Sequence, residues 1–498
     1  MFFLVLVLVS CFLLILFSYV LRMLADARRR LPPGPMPLPV IGNLLDVASW
    51  LPHRSLARLA ERYGPLMTVR LGTAVVIVAS SPSAAREVLR THNASITGRN
   101  APDAWNGMGH AANSVFILPP GHRWRALRRI GTEHLLSPRQ LDGLRPVMQG
   151  AVDRMLCHVS EMAAAVSAGA PVEVGRAVFA AMADLQWRAM FSSGLDAATT
   201  RELHAVAREA ALLALKPNVS DFFPALAALD LQGIRRSMTR QLGKVYRLID
   251  QEIDQRRRGR EAGSVDGREK DDLLDVMLQM SEVDGGLVMN QDSMRAFLTD
   301  LFLAAIDTVT GAIEWAMAEL LQNPQTMKKL KEELSRVLGS KEHVEYSDNL
   351  PYLQAVVKET LRLHAVVPLA PNKAEQTLEI QGYTIPKGST VIVNLWAIHH
   401  NPQVWTEPDK FIPERFLCKE VNFQGMDFEF MPFSAGRRIC LGLPLATRML
   451  PALLGSLLHR LEWTLPEEAM KIGVDMSEKL GLTMSMATPL QAILVKTL

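Results

Sequence analysis

FSAGRRICLG, Phe433 to Gly442, sets one cysteine among two glycines, two arginines and a phenylalanine. The chain has 498 residues and only four cysteines, so it is not a disulfide scaffold. An inert buried thiol, a nucleophile and a metal ligand are the readings left. The residues that follow, LPLATRMLPALLGSLLHRLEWTL, have helical periodicity, and Pro444 falls where a first helical turn tolerates proline. Cys440 therefore stands near a helix N-terminus, where the dipole, unpaired N–H groups and the nearby Arg437 and Arg438 favour a thiolate.

Gly436 and Gly442 remove side chains on either side of that sulfur, letting backbone approach a large flat cofactor and donate hydrogen bonds to the thiolate. Phe433 can shield it from water. Zinc fits poorly, because no second cysteine or histidine lies at ligand spacing, whereas haem needs only one strong axial protein ligand. A nucleophile would want a general base nearby, and none is evident locally.

The rest of the chain bounds the setting. Its 49% hydrophobic residues provide a sizeable core and exclude disorder, and 54 basic against 51 acidic residues are too balanced for a nucleic-acid binder. Residues 1–21 carry no charge and are long enough to cross a bilayer, so the expectation is a single N-terminal transmembrane helix, with a cleaved signal peptide as the competing reading. Arg22 and Arg28 to Arg30 follow it, which keeps the body on the cytosolic side, Asn93 and Asn218 unglycosylated, and Cys157 and Cys418 reduced. Residues 22–43 form a basic and proline-rich linker, with five prolines between Pro32 and Pro39, and residues 44–498 the body.

Within the body, LMTVRLG, AVVIVASSP and STVIVNLWAI are strand patterns, while long helical patterns dominate elsewhere, giving a mainly α fold with a minor β region. The run Phe297 to Gln322 is apolar on nearly every side around Asp307 and Thr308, and reads as a buried helix and not as a second span. A buried acid and hydroxyl cost stability unless satisfied, which points to function; a threonine bonding back to a carbonyl is the structural alternative. Trp124 and Arg128 lie four apart on one helical face and can reach one anion, although an amphipathic surface helix would look the same. Glu359 and Arg362 lie three apart and can pair.

Taken together, these stretches resemble the cytochrome P-450 superfamily. Phe433, Gly436, Arg438, Cys440 and Gly442 fall in register with its haem loop, and Trp124 with Arg128, Ala304 to Thr308, and Glu359 to Arg362 with Pro413 to Phe416 follow in the family's order. The resemblance covers nearly the whole body, is strong to plant endoplasmic-reticulum terpenoid oxidases of the geraniol-hydroxylase type, and implies the P-450 fold. It also implies haem b held by Cys440, with Trp124, Arg128 and Arg438 on the propionates. Glu359, Arg362 and Arg415 would form a structural triad, and Asp307 and Thr308 would supply protons during dioxygen cleavage. Ala305, Val309, Ala365 and Asn372 depart from the usual pattern.

The activity so implied is a monooxygenase taking dioxygen and, through a reductase, electrons from NADPH at the endoplasmic reticulum membrane. Candidate pocket residues are Phe116, Ile117, Leu303, Ile306, Val366, Val367, Leu369 and Leu482. Their apolarity favours burying a polycyclic diterpenoid over a monoterpene alcohol, whose hydroxyl would lose its water. A haem-thiolate isomerase or dehydratase and a non-catalytic haem sensor are the rivals, and Asp307 with Thr308 argues against the former.

Overall fold

The computed structural model describes residues 28–49, 51–165, 170–262, 272–283 and 285–497, with scattered positions before Arg28. Its long helices are α1 (Pro52–Tyr63), α2 (His122–His134), α3 (Arg145–Ala165), α4 (Val174–Phe191), α5 (Ala197–Leu215), α6 (Ile234–Glu261), α7 (Leu273–Val283), α8 (Gln291–Gln322), α9 (Pro324–Leu338), α10 (Pro351–Leu363) and α11 (Leu443–Arg460). The strands that matter here are β1 (Leu66–Leu71), β2 (Ala74–Ala79), β3 (Val172–Glu173), β4 (Leu369–Lys373), β5 (Thr390–Asn394), β6 (Leu461–Thr464) and β7 (Gln491–Thr497). Helix dominates, as the sequence patterns require.

The main sheet runs β1-β2-β5-β4, with β2 and β5 parallel (Ile77 opposite Val391) and the other neighbours antiparallel. A second sheet runs β3-β7-β6. The proline-rich segment lies along β1: Thr68 N–H donates to Pro33 O at 2.8 Å, and Asn43 bonds to Pro35 O and to Arg70 N. Asn218, a sequon residue, is buried and caps the short helix after it by accepting from Ser220 N, which leaves its side chain inaccessible to modification.

Helix α8 is the axis of the fold. Asn290 caps it by accepting from Ser293 N at 2.9 Å, which starts it six residues before the apolar run. Asn323 ends it, because the following Pro324 pushes its neighbour out of helical conformation and opens α9. Phe297, Phe302 and Trp315 are fully buried on it against α4, α10 and α11, each such side chain contributing about 1.5–3 kcal/mol.

The expected N-terminal transmembrane helix requires correction. Among the described residues, the helix long and apolar enough to cross a bilayer is the internal α8, of 32 residues, and 72% of its apolar window is buried inside the body. Its hydrophobicity on all sides answers to neighbouring helices on all sides. Most of residues 1–21, on which the expectation rested, lie outside the described residues.

Candidate active site

The loop of Phe433 to Gly442 is closed by its own backbone, Cys440 N–H donating to Phe433 O at 3.0 Å and Ile439 N–H to Gly436 O at 3.1 Å. Gly436 has φ +71°, and a Cβ there would stand 2.2 Å from Leu89 O, so only glycine fits. Phe433 packs edge-on against Phe423, with centroids 5.4 Å apart. Gly442 caps α11, and its N–H and that of Leu443 point at the Cys440 sulfur. Cys440 keeps accessible surface although protein surrounds its sulfur. Burial pushes the thiol up, outweighing the two N–H groups and Arg128, so the expected stabilisation of a free thiolate is overridden. Deprotonation at neutral pH needs a cation at the sulfur.

Three guanidinium groups converge beside it. Arg438 donates from Nε to Thr97 O at 2.8 Å, from Nη1 to Val115 O at 3.2 Å, and from Nη2 to Leu118 O, and lies 4.5 Å above the Trp124 ring. Arg128 donates to Ile439 O at 3.0 Å. Trp124 spends its indole N–H on Val115 O at 3.1 Å and offers its ring face to both arginines. The third member, Arg99, was not legible in the sequence, where it is one arginine in an irregular stretch. Its Nε is buried without a partner. Burial, then Arg128, brings Arg99 down to about 10; burial, then Arg99 and Arg128, brings Arg438 down to about 9.

On α8, Thr308 donates to Ala304 O at 2.8 Å, the structural alternative noted above, while its oxygen keeps acceptor capacity. Asp307 precedes it, and burial alone pushes its carboxyl up to about 6. Behind them, Glu359 accepts from Arg362 Nε at 2.7 Å and Nη2 at 2.9 Å, from Arg415 Nε at 3.1 Å and from Ile412 N at 2.9 Å. Arg362 also donates to His399 O and Pro408 O, each at 2.8 Å. The Glu359 carboxylate is saturated, and the network ties α10 to the segment that leads into the cysteine loop.

The candidate pocket residues divide. Phe116 and Ile117 are half-buried in the loop that Arg438 grips, and Val366 is bound through its carbonyl to Met484 N at 2.8 Å, which joins its turn to the hairpin carrying Leu482. Val367 and Leu482 are exposed. Leu303 and Ile306 are buried in the core around α8, and Leu369 packs with the main sheet. Asn372 is buried, its amide turned to Ala370 O at 3.4 Å.

These features fit a porphyrin. A lone, accessible thiol supplies one axial ligand, and among the described residues no cluster of three His, Cys, Asp or Glu could form a metal cage instead. Three guanidinium groups, Arg438 buried and Arg99 and Arg128 half-buried, that form no ion pair among the described residues suit a pair of propionates.

Fold and site define a haem-thiolate enzyme. Residues 32–490 match the Cytochrome P450 family, and the chain belongs to it. It is 40% identical to geraniol 8-hydroxylase of Swertia mussotii over 93% of both chains, 39% identical to carnosic acid synthase of Rosmarinus officinalis over 95% of both, and 40% identical to 7-ethoxycoumarin O-deethylase of Helianthus tuberosus over 96% of both. It is a P450 monooxygenase of the plant microsomal type. Membership implies a haem-thiolate cofactor, NADPH-dependent monooxygenase chemistry, membrane association and a reductase partner.

Proposed function

We propose that the protein hydroxylates a terpenoid in plant metabolism, with a monoterpene alcohol ahead of a polycyclic diterpenoid. This reverses the order expected from the apolar lining alone. The observation that carries it is the similarity, over 93% of both chains, to geraniol 8-hydroxylase. A second geraniol 8-hydroxylase, from Catharanthus roseus, is 39% identical, while carnosic acid synthase keeps the diterpenoid as the second reading. The site offers a hydroxyl a partner, since the Thr308 oxygen can accept once its proton is held by Ala304 O.

Cys440 would hold the haem iron, and Arg99, Arg128 and Arg438 its propionates, with Trp124 beneath the guanidinium groups and Phe433, Gly436 and Gly442 shaping the loop. Haem bound there supplies dioxygen activation under the electron push of a thiolate. Asp307, neutral for longer than an exposed carboxyl, is suited to carry a proton inward, and Thr308 to hold it at its hydroxyl. The apolar side chains of Phe116, Ile117 and Val366 exclude water and bury the substrate skeleton, at about 25 cal/mol per Å². Electrons would come from an NADPH-dependent P-450 reductase on the endoplasmic reticulum, with the body facing the cytosol.

Microsomes carrying the protein and reductase, fed monoterpene alcohols and polycyclic diterpenes, should yield a product heavier by one oxygen, fastest from the monoterpene alcohol. Turnover of diterpenes alone would overturn the ordering. Turnover of neither would overturn the terpenoid reading.

A further inference from the structure

The loop from Asp103 to Leu118 carries Phe116 and Ile117 and is gripped from two sides. On one side, Arg438 and Trp124 donate to the carbonyl oxygens of Val115, Phe116 and Leu118. On the other stands Asp300, on α8. Its Oδ2 accepts from Ser114 Oγ at 2.7 Å, and its Oδ1 lies 3.1 Å from His110 Nε2. A carboxylate there assigns the proton to Nε2, so His110 Nδ1 accepts from Tyr246 Oη on α6 at 2.8 Å. Burial and the charge of Asp300 push the Tyr246 phenol well up, which keeps it a donor. Ser114 Oγ also accepts from Phe116 N at 3.2 Å. His110, Ser114, Tyr246 and Asp300 are all buried.

The proton carriers do not use this network, and it meets the cofactor cradle only through the charge of Asp300, which acts on Arg99. Buried polar groups tied so completely fix one geometry, since each lost partner would leave another unsatisfied. Asp300 lies seven residues before Asp307 on one continuous helix, a rise of about 10.5 Å, so one rigid element sets both the loop and the acid.

We infer that Asp300 is a positioning residue for substrate: through Ser114 and His110 it fixes Phe116 and Ile117 relative to Asp307 and Thr308, and thereby which C–H bonds of a terpenoid are presented. The inference rests on the monooxygenase reading above. It makes Asp300, Ser114 and His110 determinants of regioselectivity without contact with the reacting atoms.

The test uses holoenzyme in three variants, Asp300→Asn, Ser114→Ala and the conservative Ser114→Thr. Ferric protein is titrated with imidazole and with 4-phenylimidazole, probes that need no knowledge of the substrate, and amide exchange is followed across residues 110–118. The ratio of the two dissociation constants should shift about fivefold or more in Asp300→Asn and Ser114→Ala, with faster exchange in the loop, and Ser114→Thr should restore both. The reduced carbon-monoxide band should persist, and the ratio of product isomers should change in step. An unchanged ratio and unchanged exchange in both variants would overturn the inference. So would loss of the band in both, which would mark a merely structural role, or a Ser114→Thr protein that behaves like Ser114→Ala. If wild-type protein oxidises no terpenoid, the proposed function fails while the azole and exchange readouts still judge Asp300.

Discussion

Replacing Asp307 by asparagine should make the protein more stable and a worse catalyst. Burial alone acts on this carboxyl, pushing it from 3.8 to about 6, and a displacement of about two pH units at ~1.4 kcal/mol per unit is ~3 kcal/mol. Because the folded protein holds this proton more tightly than the unfolded chain, the stability contribution is fully present below 3.8. It declines as pH rises towards about 6, and stays ~3 kcal/mol lower above that. Asparagine cannot ionise, so the gain should be ~3 kcal/mol at pH 8 and roughly half that at pH 5. For roughly 450 ordered residues unfolding with ~2 cal/mol/K each, that is about 3 °C in Tm at pH 8 and about 1.5 °C at pH 5. The assay is a thermal scan of purified holoprotein at both pH values, beside NADPH consumption and product formation. Product formation should fall by about 10²-fold or more, the range for a lost proton carrier, while haem content holds. A variant less stable than wild type at pH 8, a gain independent of pH, or unchanged turnover would each refute the reasoning.

Cys440→His should lose the red-shifted Soret band of the reduced carbon-monoxide complex together with activity; retention of both would reassign the axial ligand. Thr308→Ala should bind haem and substrate but consume NADPH with release of peroxide in place of product, read by the ratio of product to NADPH. Arg99→Ala, removing one charge-assisted partner of an anion, should speed haem transfer to an apoglobin acceptor by about tenfold or more, whereas an unchanged rate would remove Arg99 from the cradle. Glu359→Gln leaves two guanidinium groups facing a neutral amide and should cost about 3–5 kcal/mol, measured as a lower melting temperature and a smaller fraction of thiolate-ligated protein.

Much of the fold was legible because its signals are local. β1 and β2 were readable from β-branched runs ended by glycine and proline, and α11 from its periodicity after Pro444, although the helical reading ran on to Leu465 where the helix ends at Arg460 and Leu461–Thr464 is strand β6. The length of α8 was not, because its first turn, from Gln291, is polar and announced only by the cap of Asn290. The N-terminal expectation failed for a related reason. Hydrophobic length alone does not separate a span from a core helix: α8 passes the same length test, was read as a buried helix, and is buried.

The candidate site divides along the same line. Cys440, Gly436 and Gly442 were legible because the loop's chemistry is contained within ten residues. Arg99, Asp300 and His110 were not, because each is a single polar residue whose meaning lies in partners far away in sequence: Arg99 in Arg128 and Arg438, and Asp300 in Ser114 and His110. A buried Nε without a hydrogen-bond partner makes Arg99 informative, and two buried partners on one loop make Asp300 so. The two cases call for opposite arguments. Three cations brought down by burial, two of them also by a neighbouring guanidinium, describe a place prepared for an anion from outside the chain, so their stability should depend on what binds there. Each oxygen of the Asp300 carboxyl is already held, one by a serine and one by a histidine on the same loop, and what it contributes is position.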